Sequence, residues 1–151
     1  MECTMIHGKL KESIQEGREC LSQGNTAEAL NIFKEISAQV RHPLVSSGMG
    51  YCLAKERGLY AEAVSLCKDA LRQDPQEPLH FLYLGRVHLL AGRKKDAIRI
   101  FKMGLRYGRC PDIVAELSRM GKRRSPVVPF LARSNPLNKY LGMAMAKMHL
   151  R

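Results

Sequence analysis

The 151-residue chain contains no tryptophan and only four phenylalanines and five tyrosines. That scarcity removes the stacking platform expected of a single-strand nucleic-acid binder. No apolar run approaches the roughly 20 residues that cross a bilayer. The first residues, MECTMIHGKLKESIQEG, lack the apolar core of a secretory leader, so the chain reads as an intact cytoplasmic protein. Its five cysteines, Cys3, Cys20, Cys52, Cys67 and Cys110, are odd in number, scattered and without a CxxC pair. This argues against a disulfide framework and a zinc site and leaves most of them as small buried apolar residues.

Catalytic signatures are missing too. There is no GxxxxGK[ST], GxSxG, HExxH or acidic metal loop. The histidines, His7, His42, His80, His88 and His149, lie far apart in sequence, and with Cys20 and Cys52 on predicted first helices and Cys67 on a second, no nucleophile with an aligned base is inferred. The expectation is a non-enzymatic protein without cofactor or metal. Acidic residues are scarce in the second half. Residues 1–78 hold 9 Lys/Arg and 11 Asp/Glu, a net −2, whereas 79–151 hold 16 and 3, a net +13. The rear half is therefore a candidate surface for an acidic partner. The basic runs GRKKDAIR and GKRRSP read as solvated surface before nucleic-acid contacts.

What is present is a period. Shifting the chain by 34 residues superposes Ala29, Ala63 and Ala97, in GNTAEALNIF, GLYAEAVSLC and GRKKDAIRIF. Four residues after each alanine stands Phe33, Cys67 or Phe101; five before it stands a turn glycine, Gly24, Gly58 or Gly92. An earlier glycine recurs as Gly17, Gly50 and Gly85, spaced 33 and 35, which implies one extra residue in the loop of the second unit. Apolar residues recur at three and four, so each unit predicts two amphipathic helices joined by a glycine turn. The glycine of the first helix and the alanine of the second mark their close approach.

The stretch FLYLGRVH from Phe81 to His88, followed by Ala97, three residues and Phe101, resembles the tetratricopeptide repeat (TPR) at its required period of 34. The resemblance implies an all-α superhelix, a TPR solenoid of three repeats (about 9–42, 43–77 and 78–109) plus C-terminal capping and tail helices. In the first repeat Ser13 and Glu16 stand where the pattern wants large apolar residues, which suggests an exposed terminal unit. In this family the first helices line a concave groove for peptide or helix ligands. By register, that groove is expected to hold Ile14, Arg18 and Leu21, then Ser47, Tyr51 and Lys55, then Leu82, Arg86 and Leu89. Arg18, Lys55 and Arg86 would meet carboxylates and the others would give apolar contact. The implied partner is another protein with an acidic peptide or helix. The chaperone-binding members grip a terminal carboxylate with asparagine and lysines, and residues 9–22, 44–57 and 78–91 contain no asparagine, a departure from that clamp.

Beyond the repeats, residues 110–122 predict a capping helix, with Asp112 at its start and Gly121 at its end. Three prolines in 125–136 predict an extended linker over 123–134. From Asn135 and Pro136 onward, Leu137, Tyr140, Leu141, Ala144, Met145 and Met148 form one stripe of a basic amphipathic tail helix, 135–151. The stripe has four candidate resting places: its own repeats, a second copy in a homo-oligomer, another protein, or an anionic membrane. Gly142, the shortness of the stripe and the missing tryptophan argue against the membrane.

Overall fold

The computed structural model describes residues 2–121, with side chains from Gly8 onward. The expected linker 123–134 and the tail stripe with Leu137, Tyr140, Leu141, Met145 and Met148 lie outside the described residues. The chain divides into one compact unit, Met1–Leu117, and a second from Ser118, of which only the last residues of the seventh helix are described.

Among the described residues seven helices follow in order: α1 (Glu2–Gln23), α2 (Thr26–Gln39), α3 (Pro43–Arg57), α4 (Tyr60–Gln73), α5 (Pro78–Leu90), α6 (Lys94–Gly104) and α7 (Pro111–Gly121). Proline opens α3 and α5, where its missing N–H costs nothing. Just ahead of each, a side chain accepts from the backbone: His42 Nδ1 from Leu44 N at 3.2 Å and Glu77 Oε1 from Leu79 N at 3.0 Å. The three turn glycines, Gly24, Gly58 and Gly92, all have left-handed φ between 66° and 88°, the conformation that ends a helix cheaply only with glycine.

The extra residue of the second repeat is taken up in the last turn of α3. After α1 and α5 the turn closes with bonds spanning five residues, Asn25 N to Cys20 O and Arg93 N to His88 O. After α3 the matching bond runs from Leu59 N to Leu53 O, one residue wider. The count from each glycine to its alanine is five in all three, so the turn itself is unchanged.

α1 packs on α2, α3 on α4 and α5 on α6, and each new first helix seats on the pair before it. Ala29, Ala63 and Ala97 are fully buried at the crossings. A Cβ on Gly50 would come within 2.9 Å of the Ala63 carbonyl, which requires glycine there. Phe33 is a wedge between repeats, since its ring fills the space a Cβ would take at Gly17 (2.6 Å) and at Gly48 (2.7 Å). Phe101 and Cys67 sit instead against their own Gly85 and Gly50. Thr26, at the start of α2, hydrogen-bonds Glu56, near the end of α3. The second and third repeats are joined by a buried polar contact, Ser47 Oγ to His80 Nδ1 at 2.8 Å. The first turns of α7 close the stack: Ile113 is buried beside Gly104 of α6.

Candidate partner-binding face

The first helices α1, α3 and α5 touch in succession, whereas α2, α4 and α6 make no comparable contact with one another. The first helices therefore line the narrower, inner side. Immediately after each close-approach glycine comes Arg18, Tyr51 or Arg86, so these three stand at one level of the inner face.

At its centre Tyr51 and Tyr83 stack, with ring centroids 6.0 Å apart and planes inclined by 17°. The Arg86 guanidinium lies 5.6 Å from the Tyr51 ring centroid, a cation–π contact. Arg86 Nε also donates to Glu116 Oε1 of α7 at 2.9 Å, with side chains only 21% and 12% exposed. Half-withdrawn from water, this pair holds α7 against α5 more firmly than a surface ion pair would. Arg18, half-buried, donates to Gln15 Oε1 at 3.1 Å, a neutral partner. Lys55 is exposed and reaches the Gly24 carbonyl at 3.5 Å. Burial pushes the Tyr83 phenol up to about 12 against the lowering pull of Arg18 and Arg86, and raises Tyr51 against Arg86. Both phenols are neutral at physiological pH.

Of the nine residues expected in the groove, Arg18, Tyr51, Lys55, Arg86 and Leu89 keep surface. Ile14, Leu21, Ser47 and Leu82 are buried. Ser47 is turned into the α3–α5 interface by His80, and the three aliphatic side chains pack between helices. Arg86 is engaged by a carboxylate of its own chain. Two residues that back the face were missed, Glu116 and the buried Tyr83. Tyr83 lies one position off the stripe of spacing three and four, while Glu116 falls 34 residues after Leu82 and would have been found by carrying the register into α7.

Two family models described as tetratricopeptide repeat match the chain, at residues 14–78 and 54–114. Together they span two thirds of it, and the chain belongs to the tetratricopeptide repeat family. Solved structures carry the same fold. PcrH in complex with the chaperone binding region of PopB is 19% identical at a TM-score of 0.54, covering 75% of this chain and 94% of that one. The second TPR domain of human RPAP3, in complex with the HSP70 peptide SGPTIEEVD, is 21% identical at 0.55, covering 78% and 98%. The Sgt2 TPR domain from Aspergillus fumigatus is 14% identical at 0.55, covering 85% and 93%. No curated protein matches the chain. The chain is thus an all-α TPR superhelix. Among the described residues, no helix is long and apolar enough to cross a membrane.

Proposed function

We propose that this protein is a non-enzymatic adaptor or scaffold that binds a short acidic segment, peptide or helix, of another protein along the inner face of its first helices. The carrying observation is the Arg18–Tyr51–Tyr83 arrangement. Tyr51, backed by the buried ring of Tyr83, offers an apolar floor, and near it stands a half-buried guanidinium whose hydrogen-bond partner is an amide and not a carboxylate. A ligand carboxylate would give Arg18 the charge-assisted, two-pronged contact that guanidinium favours. Lys55 adds a second cation. Arg86 is satisfied by Glu116, so it serves as the wall that orients Tyr51.

Two structural neighbours are complexes with protein segments, and one of those segments, SGPTIEEVD, is acidic. In this chain arginine and lysine would hold the carboxylate without asparagine. Burial pushes the thiols of Cys52 and Cys67 up to about 12, so neither serves as a nucleophile at neutral pH. The reading is tested by titrating the isotope-labelled full chain with short acidic peptides and with their lysine counterparts. Amide shifts at Arg18, Tyr51 and Tyr83 with the acidic set, weakened at least about tenfold by Arg18→Glu, are the expected result. Shifts confined to other helices, or indifferent to Arg18→Glu, would overturn it.

A further inference from the structure

The seam between the two helices of a repeat is closed in the third repeat and open in the first. In the third, Phe81 of α5 is 5% exposed and stacks on Tyr107, with centroids 5.2 Å apart and planes inclined by 16°. Gly104 lets the Phe81 Cβ pass close beneath. A shift of 68 residues carries Phe81 onto Ser13, Leu84 onto Glu16 and Tyr107 onto Gln39. Around these three polar residues the structure has a cavity of about 440 Å³, completed by Lys9 and Leu10 of α1, by Ile32, Glu35 and Ile36 of α2, and by Val40. An aromatic pair is missing from its place. The floor is aliphatic, and the two carboxylates Glu16 and Glu35 outnumber the one cation, Lys9.

We infer that this cleft receives the C-terminal sequence of a second copy of the chain, with Tyr140 as the anchoring ring. The third repeat indicates what fits such a seam, namely an aromatic ring flanked by aliphatic side chains, and the stripe Leu137, Tyr140, Leu141 supplies that. Charge is complementary. Residues 122–151 carry seven Lys/Arg and no Asp or Glu, and Lys139 precedes the anchor, suited to Glu16 and Glu35. The cleft lies in the first repeat, whereas the segment follows α7 in the sequence. The field of the chain, net −2 in front and +13 behind, favours front-to-rear meeting of two copies. Such a contact joins two different surfaces, so copies meet head to tail, in a closed ring where the rotation between them closes and in an open chain where it does not. It uses a different surface from the inner face, and its failure would leave the peptide-binding reading untouched.

Sedimentation of the full chain over a wide concentration range tests it. The mean mass is expected to rise above that of the monomer as the concentration is raised. Ser13→Phe, which fills the cleft from within, and Tyr140→Glu, which removes the anchor, should each leave a monomer with unchanged helical content. Mixed, they should form a one-to-one dimer, because the first retains an intact tail and the second an intact cleft. A wild-type chain that stays monomeric throughout, as it would if the tail lay in its own cleft or served another protein, overturns the inference. So does a mixture of the two variants that remains monomeric, or a variant that assembles like wild type.

Discussion

The third repeat and the first share one backbone plan and differ in how they are filled. α5 buries His80, Phe81, Leu82, Tyr83, Leu84, Val87 and His88, apolar nearly all round, because it is covered by α3 and α4 before it and by α6 and α7 after it. Helix α1 buries Ile14, Gly17 and Leu21, a single stripe, and presents Ser13 and Glu16 to an unfilled seam. The same period thus serves two purposes. A central helix needs a ring at that position to close the core, whereas a terminal helix can give it up, at the cost of contacts that a void cannot return.

Phe81→Ala would break the contrast most forcibly, by opening in the third repeat the cleft that the first already has. It should cost about 3–5 kcal/mol in chemical denaturation, while Ser13→Ala at the equivalent place should stay within about 0.5 kcal/mol. Ser47→Ala comes next. It leaves His80 Nδ1 without its partner in a ring whose Nε2 already has none among the described residues, and should cost about 1–3 kcal/mol. In the opposite direction, Ser13→Phe should stabilise the chain by about 1–2 kcal/mol by giving the first repeat the ring of the third.

The smallest effect is that of pH. Burial lowers the pKa of His80, of His42 against the raising effect of Asp74, and of His88. The unfolded chain therefore takes up protons that the fold refuses. The stability these rings contribute is complete above about pH 6.5 and is lost as the pH falls through that value toward the folded pKa. For His42 the lost group is also the acceptor that caps α3. The denaturation midpoint should fall on acidification from about pH 7.5 to about pH 5, and the fall should be smaller in His80→Gln.

The helix pairs, the glycine turns and the close approaches were legible in the sequence because each repeat solves the same steric problem with the same residues, Gly17 and Ala29, Gly50 and Ala63, Gly85 and Ala97. The polar seam was legible at Ser13 and Glu16 for the same reason. Depth was not. A spacing of three and four identifies a face but does not say how far a neighbouring helix covers it, so Ile14, Leu21, Ser47 and Leu82 share a register with surface residues and are nonetheless buried. The Arg86–Glu116 pair joins residues 30 apart on two helices that only stacking brings together, and no local pattern marks it. The odd residue of α3 could be counted, but its place depended on which turn could widen.

Amide hydrogen exchange of the full chain, compared with Ser13→Phe, addresses the unequal filling of the two end repeats most directly. Amides of α1 from Leu10 to Leu21 and of α2 should open more readily than those of α5 and α6, and Ser13→Phe should slow the first set while leaving the second unchanged. Equal protection of the two repeats, or a Ser13→Phe chain whose α1 and α2 exchange as before, would contradict the account.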